Sequence, residues 1–172
     1  MAPGKREAIL TAALPLLTEG GDFSLEALLR RAGAGVGTFY HHFPNGREDL
    51  LAALQAQALA EYEESILRVL RRNRAAEPAV RALVHHQLRW TAENAAAASL
   101  VAGSAQPPSR DLLREVRTWA ETAGLTAAPP DLLLAAALGP VRDWTRAGQR
   151  AGLESAADRL AAASWAAVLA LA

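Results

Sequence analysis

The stretch 24–43, SLEALLRRAGAGVGTFYHHF, limits what this chain can fold into more than any other. Two short amphipathic segments flank a glycine break. In the first, Leu25, Leu28, Leu29 and Ala32 fall at i, i+3, i+4 and i+7, one face of a helix. Ser24 stands where an N-cap belongs, and Glu26 falls in the first turn, where the helix dipole favours a carboxylate. Gly33 ends the helix, since the residue past a helix end usually needs positive φ. In the second segment Val36, Phe39, Tyr40 and Phe43 repeat the spacing, which leaves Gly35, Gly37, Thr38, His41 and His42 on the opposite face. Two short helices joined by a turn of about three to four residues, the second with one polar face, make a helix-turn-helix layout. An ordinary helical hairpin inside an all-α core gives the same pattern. The pattern alone leaves both readings open.

The rest of the chain is also helical in pattern. Alanine and leucine dominate its 172 residues, β-branched and aromatic residues are scarce, and apolar residues recur at helical spacing. The expected fold class is all-α, with about nine helices. Residues 5–19 read as a first helix, with Pro15 predicting a kink or a shortened end and Gly20-Gly21 closing it. Asn45 with Glu48 predicts a capping box opening a long helix over about 46–72, near 40 Å at roughly 1.5 Å per residue. Further helices are expected from Pro78 to about Asn94, over 95–102, from Ser109 to about Thr122, over 131–150 with a break or kink at Gly139-Pro140, and over 154–171 after Gly148 and Gly152. The domain boundary is expected near residue 50, dividing 1–50 from 51–172.

Composition excludes several classes. Without cysteine there is no disulfide framework and no thiolate chemistry. The N-terminus lacks the apolar run of a signal peptide, and Leu160–Ala172 falls short of the roughly 20 residues that span a bilayer. A cytoplasmic protein is expected. Formal net charge is zero, and residues 1–50 carry five basic side chains against six acidic ones, so wholesale non-specific nucleic-acid binding is disfavoured. Lys5 and Arg6 can reach a phosphate or simply be solvated. The basic run 68–74 reads better as a helix C-terminus whose cations complement the dipole. No phosphate loop or nucleophile elbow occurs, so no enzyme is expected. The pairs His41-His42 and His85-His86 point about 100° apart on a helix, against the i, i+4 spacing that chelation prefers, so no metal and no cofactor is expected.

The run Ala32-Gly33, then Gly37-Thr38-Phe39-Tyr40-His41-His42-Phe43-Pro44, then Glu48-Asp49-Leu50-Leu51, resembles the DNA-binding end of the tetracycline-repressor (TetR) family of bacterial transcription regulators. The resemblance covers roughly residues 5–55. It implies a three-helix DNA-binding domain followed by a helical domain that dimerises through its last two helices. It also implies repression at palindromic operators, and an inducer cavity whose occupancy tilts the fourth helix. By resemblance Thr38, Tyr40 and His41 match positions that touch DNA, Tyr40 chiefly through a phosphate, and Arg47 stands for the basic residue that opens the fourth helix. The family often has serine or threonine and then a polar residue where this chain has Gly35-Val36.

The expected DNA-binding set is therefore Gly35, Val36, Gly37, Thr38, Tyr40, His41, His42 and Arg47. His86, Trp90, Asn94 and Trp119, with Gln87, are the candidates for a cavity that takes a mostly apolar, neutral or weakly charged organic ligand. Trp144, Leu160, Trp165, Val168 and Leu169 are the candidates for a homodimer interface. The expected partners are an operator duplex, a second copy of the chain and a small inducer, without a membrane. The rival reading is a helical ligand-binding or scaffold protein that has lost DNA binding, which neutral charge and the glycine-rich second segment favour.

Overall fold

The structure, a computed structural model, describes residues 4–18, 24–146 and 153–172. Among them are nine helices and no strand: α1 (Lys5–Thr18), α2 (Leu25–Ala32), α3 (Val36–His42), α4 (Arg47–Arg72), α5 (Ala76–Glu93), α6 (Ala95–Ala102), α7 (Arg110–Ala123), α8 (Pro130–Arg146) and α9 (Leu153–Leu169). The glycine stops expected at 20–21, 148 and 152 lie outside the described residues. No helix among those described is long and apolar enough to cross a membrane.

The caps explain the helix limits. The Ser24 hydroxyl accepts from the Ala27 N–H at 3.1 Å, and the Ser109 hydroxyl accepts from the Leu112 N–H at the same distance. Gly33, at φ 59°, turns the chain out of α2, and the Ala34 N–H then reaches back to the Leu29 carbonyl at 3.0 Å. The cap of α4 differs from expectation. The helix starts at Arg47, one residue later, so Asp49 rather than Glu48 reaches back, accepting from the Asn45 N–H at 2.8 Å and from its side-chain amide at 3.1 Å. Those two bonds, the backbone one foremost, hold the Asp49 carboxyl below its ordinary range. Pro15 does not shorten α1, which runs on to Thr18, and Pro140 does not break α8, which runs through it to Arg146.

The chain divides into two compact units. The first comprises residues 1–60 and 94–104, so it extends past residue 50 and takes in α6. Its core joins Ile9, Leu10 and Ala13 of α1 to Leu28 and Leu29 of α2, Phe39 of α3, Phe43, and Leu50 and Leu54 of α4. Leu100 of α6 packs on this core, and the Gln55 amide donates to its carbonyl at 3.1 Å. The second unit comprises residues 61–93 and 105–172. In it α5, α8 and α9 pack mutually and α7 packs on α8. Val80, Val84, Val116, Leu138, Val141 and Val168 are fully buried there.

Candidate nucleic-acid interface

The orientation of α3 follows from two rings. Phe39 and Phe43 are 2% and 1% exposed, their centroids 5.4 Å apart. Burying both turns the rest of this seven-residue helix outward. Val36 and Tyr40, which the sequence stripe groups with them, are instead 57% and 49% exposed. A two-turn helix has one narrow buried face; the two phenylalanines fill it, and Val36 and Tyr40 lie on its edge. At about 100° per residue, Val36, Tyr40, Gly37 and His41 form one continuous arc with Gly37 near its centre. Thr38 and His42 flank that arc, half-buried, and Gly35 is exposed ahead of it.

The surroundings hold this face in place. The Tyr40 ring meets Phe39 edge-on at 5.3 Å. Its Cε1 atom is 3.6 Å from where a side chain on Gly46 would begin, and Gly46 needs φ 65° to turn the chain into α4. The ring is thus held against that turn while much of it stays exposed. Arg47 is exposed at the first position of α4. Lys5 and Arg6 are engaged within the unit. The Lys5 ammonium donates to the Gly33 carbonyl at 3.0 Å, and the Arg6 guanidinium lies 5.7 Å over the Phe43 ring. Within the basic run 68–74, Arg71 is likewise tied locally, 2.9 Å from Glu64 and 3.9 Å from Glu115.

The residues expected to line one cavity in the second unit fall in separate places. Trp119 donates its indole N–H to the Asn73 carbonyl at 2.9 Å. It borders an apolar void of about 10 Å³ with Leu70, Val80, Leu83, Val116 and Leu134, room for about one water molecule. Trp90 instead packs on Tyr62 at 4.7 Å. Tyr62 on α4 and Asn73 just past its end lie about three turns apart, roughly 16 Å, so the two indoles mark different levels of the core. Asn94 is exposed and belongs to the first unit. A larger open cleft, about 280 Å³, follows the α7–α8 loop past Arg117, Glu121 and Pro129, and uses none of the expected residues.

Around Tyr62 is a polar cluster that the sequence reading did not assemble. The Tyr62 hydroxyl donates to the Gln87 side-chain carbonyl and accepts from Arg142 at 3.1 Å, and the Gln87 amide donates to Thr91 at 3.0 Å. Burial raises the Tyr62 phenol above its ordinary 10.0, and the Arg142 charge partly offsets this. The Ser65 hydroxyl donates to the Tyr62 carbonyl at 2.6 Å, so it accepts from His86 Nε2, 2.7 Å away, which places the ring proton there. Burial, then the nearby Arg89 and Arg68 charges, hold His86 below its ordinary 6.5, with Glu93 opposing. His85, by contrast, is exposed, 3.6 Å from Asp158. Among the described residues no group of three or more His, Cys, Asp or Glu side chains is placed to hold a metal ion.

The dimer candidates also separate. Val168 is buried in its own unit, lining the void beside Trp119, because α9 turns Ala157, Ala161, Ser164 and Val168 towards its core. Leu169 is 52% exposed, whereas Trp144, Leu160 and Trp165 are half-buried.

Residues 9–54 match the family model described as "Bacterial regulatory proteins, tetR family". No curated protein matches the chain. Among solved structures, a TetR family transcription regulator from Marinobacter aquaeolei VT8 is similar to it with a TM-score of 0.63 and 17% identity, over 95% of this chain and 94% of that one.

The depressed His86 titration gives a signed expectation. Below pH 6.5 the unfolded chain takes up a proton that the folded ring resists, so stability falls as pH falls. His86→Gln keeps a donor for Ser65 and removes the titration. Urea unfolding above and below pH 6.5 should show a smaller acid loss in the variant than in the wild type. Equal losses would assign the acid sensitivity elsewhere.

Proposed function

We propose, from the premise that the chain belongs through residues 9–54 to the tetR family of bacterial regulatory proteins, that it is a DNA-binding transcription regulator. In this reading it works as a homodimer on a palindromic operator and is released by a small organic ligand. The observation that carries the DNA-binding step is the outward arc of α3, where Val36, Gly37, Tyr40 and His41 share a surface backed by Phe39 and Phe43. Recognition then has two parts: Tyr40 and Arg47 hold phosphates, while Val36, Thr38 and His41 face base edges. A mobility-shift assay with the DNA flanking its own gene tests the reading. Tyr40→Phe keeps the ring contacts and deletes one phosphate hydrogen bond. It should weaken binding roughly tenfold on every sequence alike. Unchanged affinity would remove Tyr40 from the interface.

Dimerisation is supported by the outer side of the last two helices. Leu132 on α8 and Leu169 on α9 are exposed large apolar side chains, and Ala162, Ala163 and Ala166 of α9 are also exposed. Small residues let helix backbones approach closely while the leucines add area. Leu169→Arg should convert a micromolar dimer to a monomer in sedimentation, with helical content kept because the side chain is outside the core. A wild-type monomer at that concentration would rule the interface out.

The ligand class rests on the lining beside Trp119, which is leucine, valine and alanine. The void is far smaller than an organic ligand, so the ligand selects a conformer in which this core has opened. Release requires that this conformer bind DNA poorly. Ligand and operator should then weaken one another by the same factor, with tryptophan emission as the readout of ligand binding. A ligand that changes the emission and leaves operator affinity untouched would break the linkage.

A further inference from the structure

We infer that Val36 is a specificity-determining residue that reads the C5-methyl group of a thymine in the major groove. This rests on the DNA-binding reading of α3 and adds the base it selects. Among the described residues Val36 is the most exposed of the large hydrophobic side chains, and it stands at the first position of the helix. On either side, a Cβ added to Gly35 or Gly37 would meet nothing within 4 Å. No side chain on those neighbours holds a facing surface away, so the backbone at this end can come close to what it meets. Val36 would then touch its partner directly rather than through water. Its two methyl groups offer neither donor nor acceptor. Of the four bases only thymine shows a methyl group in the major groove; the guanine, adenine and cytosine edges carry N7, O6 or amino groups that valine would bury without a partner. Tyr40 and His41, on the same arc, bring hydrogen-bonding groups next to this apolar point. The face therefore has one methyl-reading end and one polar end.

The test uses the full chain and a duplex that it selects from a randomised pool. Each thymine of that duplex is replaced in turn by deoxyuracil, which removes the methyl and leaves base pairing intact. Wild-type affinity should fall about fourfold at one thymine in each half-site, the effect of roughly one buried methyl group. Val36→Ala should bind the unmodified duplex more weakly and lose its sensitivity to deoxyuracil at that position only. The side chain is outside the core, so circular dichroism should show the variant folded. If no thymine responds, or if Val36→Ala keeps the wild-type sensitivity, Val36 does not read a methyl and the DNA-binding reading stands. If the chain enriches no sequence from the pool, both fall together.

Discussion

The burial of Phe39 and Phe43 decides what the N-terminal unit presents. A seven-residue helix has little stability of its own, and nucleation in water is unfavourable. Tertiary packing must therefore hold α3 in register, and two rings in the core do so. Once they are inside, helical geometry leaves no choice about the rest. Val36, Gly37, Tyr40 and His41 must face out, and Thr38 and His42 must lie at the margin. Tyr40 also lies beside the turn at Gly46, where φ 65° favours glycine and a Cβ would sit in ordinary van der Waals contact with the ring. The chemistry of the outer face is thus a by-product of the inner one.

The second unit is arranged around a different constraint: buried polar groups need partners. Tyr62, Gln87 and Ser65 sit in a helical core built from leucine, valine and alanine. Each of these three finds a partner, through Arg142, Thr91 and His86, whereas the Ser164 hydroxyl, fully buried on α9, has none among the described residues. An apolar core alone fixes the spacing of helices better than their register. Directional bonds between α4, α5 and α8 at one level fix the register there. The Trp119 level lacks such a network apart from the indole bond to Asn73 and is lined by aliphatic side chains. The two levels differ accordingly in what each would lose on opening. The apolar level gives up packing contacts, whereas the polar level would strand charged or hydrogen-bonding groups.

Local signals were legible in the sequence, and tertiary ones were not. Ser24, Gly33 and Ser109 act within a few residues of themselves, and their side chains or conformations do what the sequence predicts. That His85 and His86 face different ways was also readable, because neighbours on a helix must diverge. The Asn45 cap was off by one residue since a turn with Gly46 admits more than one start. The Tyr62 cluster was not readable at all: Tyr62 fits an apolar stripe, and its partners are 25 and 80 positions away. Nor was the inward side of α9. An alanine-rich helix is apolar nearly all round, so only its neighbours α5 and α8 decide that Val168 turns in and Leu169 out.

Charge settles how a protein of this kind could recognise DNA. Residues 1–50 have one more acidic than basic side chain, and two of the basic ones are occupied at home. Lys5 satisfies the end of α2, and Arg6 covers Phe43. On the proposed DNA-binding reading, so few cations in this stretch would make the sequence-independent part of the affinity small and its salt dependence shallow. A protein with weak non-specific binding is not held up by bulk DNA, but it must draw its affinity from contacts made at the right site. Close approach is then worth more than charge. The glycines at 35 and 37 permit that approach, at the cost of side chains that could have formed hydrogen bonds. The exposed valine between them is consistent with the same exchange: shape and apolar contact at one end of the helix, hydroxyl and imidazole at the other.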